Sequence, residues 1–186
     1  PVPDRHGNAG GALHFNGDGD EIIVEPMHGL TRTGFSLSLW VRFDFSDKRT
    51  SWQDWVDGGK GFHHPIFCQD DLFGIRTIQL CLWEEQILWH RFGPDRSCIR
   101  KGVVDPGRWY HIAVTFDGTQ HSLFVDGVLQ ERQPGQFNVS KDYRITIGSI
   151  GEDPKNRGFF AGSLDDISVF NRALTDAEVQ ALALKK

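Results

Sequence analysis

Two Asp-Gly pairs, Asp117-Gly118 and Asp126-Gly127, each stand between short runs in which apolar and polar residues alternate. Asp-Gly supplies the positive φ angles that a tight hairpin turn needs, so each pair reverses the chain between adjacent antiparallel strands. Trp109–Phe116, His121–Val125 and Val128–Gln130 therefore read as three consecutive strands of one sheet. A chain carrying such a meander must bury it against further sheet, and the rest of the chain supplies candidates.

The clearest of these is Phe35–Phe43, where Phe35, Leu37, Leu39, Val41 and Phe43 share one face. Ala12–Phe15 and Glu21–Glu25 flank the polar turn Asn16-Gly17-Asp18-Gly19-Asp20. Ile66–Gln69, Ile75–Trp83, Gln86–Phe92 and Arg144–Gly148 add short strands, with Glu84-Glu85 as a tight connection. Gly 21, Phe 14 and Trp 6 against a single Met favour turns and aromatic strands over helices. Ten or so short strands separated by turn signals predict a two-sheet sandwich or a barrel. At 186 residues the expectation is one domain spanning 1–186.

The C-terminal stretch closes the pattern. Leu164–Phe170 alternates, with Leu164, Asp166, Ser168 and Phe170 expected on one face and Asp165, Ile167 and Val169 on the other. Thr175 followed by Glu178 forms a capping box, and Val179 and Leu182 give the apolar side of a short helix over Asp176–Leu182. Asp44–Pro65 breaks the strand rhythm with Trp52, Trp55, His63, His64 and three glycines, which reads as a functional loop.

Ala12-Leu13-His14-Phe15-Asn16-Gly17, Phe35–Val41, Trp109–Gly118, Leu123–Gly127 and Gly162–Leu174 fall in an order that resembles the laminin G-like branch of the concanavalin A-like lectin/glucanase superfamily. The final Gly-x-Leu-Asp-Asp…Asn-Arg-Ala-Leu…Glu block carries the resemblance most specifically. It implies an all-β, antiparallel jelly-roll sandwich and a binding module for glycans or proteins, in an extracellular or cell-surface setting. Other domains of a larger secreted protein would then be neighbours. The family's first strand, upstream of Asp4-Arg5-His6-Gly7-Asn8, is expected to be missing or trimmed. The residues after Pro1 do not read as a signal peptide, and Pro1 suggests an excised or processed segment.

Three groups of residues are candidates for chemistry. Asp18 and Asp20 in the early turn and Asp165 at the last strand would, if the first and last strands are neighbours as the resemblance implies, offer oxygen ligands to a structural calcium ion. The bland alternative is that they are turn and cap residues. Trp52, Trp55 and Trp83 with His63, His64 and Arg91 combine stacking faces with polar partners, the mixture that a polysaccharide or oligosaccharide needs. Trp89 beside Ile87 reads as core, and Trp40 and Trp109 read as structural. Arg91, Arg96, Arg100 and Lys101 form a basic cluster, read as a solvated face or a contact for an anionic glycan.

Several classes are disfavoured. A net charge of −5 does not suit nucleic acid, and no run is long and apolar enough to span a membrane. Three cysteines, Cys68, Cys81 and Cys98, allow at most one internal disulfide and have no zinc-ligand spacing. Glycosidases of this superfamily carry a Glu-x-Asp-x-x-Glu run on one strand, whereas Glu84-Glu85 and Asp165-Asp166 are adjacent and diverge. A non-catalytic carbohydrate-binding module is the expectation; a protein-interaction module and a glycoside hydrolase or lyase are the alternatives.

Overall fold

A strand that alternates as Phe35–Phe43 does must put its apolar face on a core, and it does so at the middle of the molecule. In the computed structural model Phe35, Leu37, Leu39, Val41 and Phe43 are all buried, within one core of side chains drawn from two sheets. The structure describes residues 1–27, 30, 34–44, 64–70, 76–83, 86–91, 98–137, 143–150 and 158–185.

The first sheet has six strands in the spatial order β1 (Leu13–Asn16), β14 (Ala161–Phe170), β3 (Phe35–Phe43), β8 (Trp109–Phe116), β9 (Gln120–Val125) and β10 (Val128–Pro134). The second has six in the order β2 (Ile22–Val24), β11 (Ile145–Ile147), β4 (His64–Asp70), β5 (Arg76–Trp83), β6 (Gln86–Arg91) and β7 (Cys98–Val103). A short pair, β12 (Ser149–Ile150) with β13 (Gly158–Phe159), stands apart, and the helix α1 spans Asp176–Ala183. All pairings are antiparallel among the described residues, giving the jelly-roll sandwich that the strand pattern implied.

The hairpins form where Asp-Gly stands. Asp126 and Gly127 both have positive φ, +50° and +76°, between β9 and β10. The Asp117 carboxylate accepts hydrogen bonds from the backbone N–H groups of Thr119 and Gln120, which hold it below the usual carboxylate range against the opposing effect of burial. In the second sheet Trp83 lies opposite Gln86, and the register puts Ile78, Leu80 and Leu82 on the core. Trp89 is fully buried, and its Nε1 donates to His121 Nδ1 at 2.9 Å, tying one sheet to the other.

The helix is built as its capping box requires. Thr175 Oγ1 accepts from the Glu178 backbone N–H, and the Glu178 side chain accepts from the Thr175 N–H. Val179 is buried and Leu182 half-buried against Ala113, Phe124 and Leu174, so α1 lies on the outer face of the first sheet. Ser36 anchors its approach, its hydroxyl donating to the Arg172 carbonyl and accepting from the Leu174 N–H.

One expectation fails in β14. Strict alternation would separate Leu164 from Ile167 and Val169, but the register with β3 shifts between Asp165 and Ser168. Asp166 sits at φ +47° in this bulge, so the extra residue turns the chain over. Leu164 therefore joins Ile167 and Val169 on the core, while Asp165, opposite Trp40, faces outward with Ser168 and Phe170.

Candidate functional site

Each sheet has an outer face, and the two differ in chemistry. On the second sheet, period two along β5 points Gln79, Cys81 and Trp83 outward. The register continues across β6 and β7: Gln79 is opposite His90, Cys81 opposite Leu88, and Leu88 opposite Arg100. Gln79, Cys81 and Leu88 are buried, whereas Trp83, His90 and Arg100 are half-buried. The Arg100 guanidinium carbon lies 6.0 Å from the centroid of the Trp83 ring. An indole and a guanidinium are thus held side by side at the end of this face, a cation–π pair that also presents an apolar ring edge and charged N–H donors.

Of the residues expected to bind a glycan, Trp83 is on this face. His64 opens β4 opposite the core-facing Leu82, so its register puts it on the inner side of the sheet rather than beside Trp83, and burial pushes its imidazole below its ordinary pKa. Trp52, Trp55 and His63 lie outside the described residues, and Arg91 ends β6 with its side chain likewise outside the description. Arg100 belongs to the basic cluster, yet it stands beside the aromatic group. A β6–β7 register would have revealed this, but residues 92–97 carry no periodicity from which to derive one.

The first sheet's outer face is closed. Outward-facing Ser38 and His111 are 4% and 1% exposed, and Ser38 Oγ is 2.9 Å from His111 Nε2. The His111 imidazole is held down at a pKa of about 4, chiefly by burial, with Asp126 opposing and the Arg5 charge adding to the lowering. Among the described residues its buried Nδ1 has no hydrogen-bond partner, so the carboxylate that orients the ring in a serine-hydrolase triad is not seen there. Trp40, read from sequence as structural, is half-buried beside His111, with ring centroids 5.4 Å apart.

Arg5 locks this face. Its Nη1 donates to Asp165 at 2.6 Å, its Nη2 to Asp166 at 2.9 Å and to the Lys185 carbonyl at 3.4 Å, and its guanidinium lies 4.8 Å from the Trp40 ring centroid. The carboxylates proposed for calcium therefore do not share a site. Asn16 is opposite Ala161, so the Asn16–Asp20 turn meets β14 four residues before Asp165, on the order of 13 Å away. Asp165 is neutralised by a guanidinium that would repel a cation. Asp18 and Asp20 are exposed, and the Asp20 carboxylate accepts from the Asn16 N–H at 2.9 Å. Among the described residues no three His, Cys, Asp or Glu side chains gather as a metal site.

A family model of the concanavalin A-like lectin/glucanase superfamily, in its laminin G form, matches residues 16–180. The chain belongs to that family. Over 180 residues this laminin G-like domain is 24% identical to pappalysin-1 of Mus musculus, an alignment covering 90% of the domain and 11% of that protein. Its fold matches the botulinum neurotoxin serotype D ligand binding domain in complex with N-acetylneuraminic acid, with a TM-score of 0.66 at 15% identity, covering 98% of this chain and 45% of that one. The binding domain of Paraclostridial Mosquitocidal Protein 1 gives a TM-score of 0.65 at 17% identity, covering 94% and 45%. The laminin G-like domain thus spans about a tenth of pappalysin-1 and less than half of either toxin domain. At these identities the structural matches speak for the fold.

Proposed function

We propose that this laminin G-like domain is a non-catalytic carbohydrate-binding module of a secreted or cell-surface protein, and that it binds glycan on the outer face of its second sheet. The observation that carries this is the half-buried Trp83 with the Arg100 guanidinium 6.0 Å from its ring centroid. Sugar rings present apolar C–H faces that stack on indole, and their hydroxyls or carboxylates accept hydrogen bonds from a guanidinium. Trp52, Trp55 and His63 are the further contacts in this reading, on the strength of their residue types and the long Asp44–Pro65 loop. The same fold in a neighbour that holds N-acetylneuraminic acid supports sugars as the ligand class.

A glycan array probed with the wild-type domain and with Trp83→Ala tests this. Wild-type protein should bind a defined set of glycans, Trp83→Ala should lose them, and no glycan should be cleaved. Absence of array binding, together with capture of a purified extracellular protein partner, would favour the protein-interaction alternative.

A further inference from the structure

A cavity of about 60 Å³ lies between α1 and the outer face of the first sheet, remote from Trp83 on the second. Its sheet side is formed by Ser38, Trp40, His111 and Ser168, its rim by Asp166, and its helix side by Leu182 and Lys185. On a measure where one water takes about 10–15 Å³, the space holds roughly five waters. At about 30 Å³ of liquid per water this is on the order of 150 Å³, comparable to the displacement of one sugar ring.

The walls are held before any ligand arrives. One guanidinium, that of Arg5, fixes the Asp166 carboxylate, the Trp40 ring and the Lys185 carbonyl, while Ser38 fixes the His111 ring. Such preorganisation lowers the entropic cost of binding. Asp166 is also held at φ +47°, in the left-handed region that non-glycine residues seldom occupy. His111 is 1% exposed, and among the described residues its buried Nδ1 has no hydrogen-bond partner.

The surrounding charge selects against ions. Asp165 and Asp166 are balanced by Arg5, with Lys185 at the margin, and the His111 imidazole is neutral at neutral pH. Two serine hydroxyls, a carboxylate and an imidazole match a hydroxyl-rich molecule, and Leu182 offers an apolar surface. We propose that this cavity is a second ligand site, which takes a compact, neutral, polyhydroxylated ligand the size of a single pyranose. It is independent of the glycan-binding reading for Trp83.

The test is a titration of histidine-15N-labelled protein with free glucose, galactose, mannose and N-acetylglucosamine, following the ring nitrogens of His111. At least one sugar should shift them saturably. Ser168→Leu, which places a larger side chain in the cavity, should weaken that sugar at least tenfold, and Trp83→Ala should leave its affinity within twofold. No saturable shift with any of the four in the wild-type protein would overturn the proposal, as the cavity then holds water only. A shift lost in Trp83→Ala and kept in Ser168→Leu would equally overturn it, assigning the sugar to the second sheet. Because the wild-type titration decides by itself, misfolding of Ser168→Leu would not rescue the idea.

Discussion

On the first sheet, Ser36, Ser38 and Ser163 point away from the core yet are buried: α1 and the chain leading into it cover the first two, and the Arg42 guanidinium donates to Ser163 Oγ. On the second, Trp83, His90 and Arg100 point away from the core and stay half-exposed around the buried Gln79, Cys81 and Leu88. One face is filled with small hydroxyls so that a helix can lie close. The other ends in large side chains with an apolar body and a polar tip, which suit a wet contact. Gln79 and Cys81 are as fully buried as Ser38, so outward orientation in a sandwich does not by itself mark a binding surface. What distinguishes the second face is the partial exposure that Trp83, His90 and Arg100 keep.

If that division is right, mutations on the two faces should separate stability from binding. The largest stability effect belongs to Arg5→Ala, which leaves the 7%-exposed Asp165 side chain as a buried carboxylate without its partner. Breaking such a pair costs about 3–5 kcal/mol, to be measured by denaturant unfolding. Asp165→Ala should also destabilise, and by the same amount in calcium and in chelator. A calcium-dependent cost would place an ion at Asp165 and contradict the role given to Arg5.

Acid should weaken the same face next. His111 stays neutral in the fold down to a pKa of about 4, whereas in the unfolded chain it takes up a proton near 6.5. The unfolded state therefore binds more protons between these values, and stability falls as pH drops through that window, by roughly 3 kcal/mol in total. His64, lowered by burial as well, contributes with the same sign. Unfolding curves at pH 7 and pH 4.5 should show the loss, and His111→Gln should reduce it. Because the Arg5 charge lowers this pKa, Arg5→Ala should raise the His111 value seen by NMR titration.

A smaller effect is expected at the helix start. Thr175→Ala removes the hydroxyl that accepts from Glu178 N–H and should cost about 1 kcal/mol by thermal or denaturant unfolding. The exposed Arg172–Glu178 pair, at 2.6 Å, holds the Glu178 carboxylate down at a pKa of about 2, and at such exposure its loss should scarcely move the melting temperature.

Much of this architecture was legible in the amino-acid order, for local reasons. Alternation in Phe35–Phe43, the Asp-Gly turns and the Thr175–Glu178 box each act within a few residues, and each formed as read. The bulge at Asp165–Ser168 was not legible, since a period of two gives no notice of an extra residue. Missing it assigned Asp165 to the wrong face and left its acid looking available for a metal. Its true partner, Arg5, is 160 residues away, and no local pattern joins them. The site was legible in type more than in place. Trp83 could be assigned to an outer face from β5 alone, but pairing it with Arg100 required the register of β7. Trp40 and His111 were each visible on the side of their strands opposite the core residues, yet only the pairing of β3 with β8 brings them together.

The central claim, that the second sheet's outer face binds glycan through Trp83, is tested most directly by Trp83→Ala in paired measurements of glycan affinity and unfolding. The account predicts at least a tenfold loss of affinity for array-positive glycans, with a stability change of about 1 kcal/mol or less. Unchanged glycan affinity in the folded protein, or a loss of several kcal/mol that accounts for the missing binding, would contradict it.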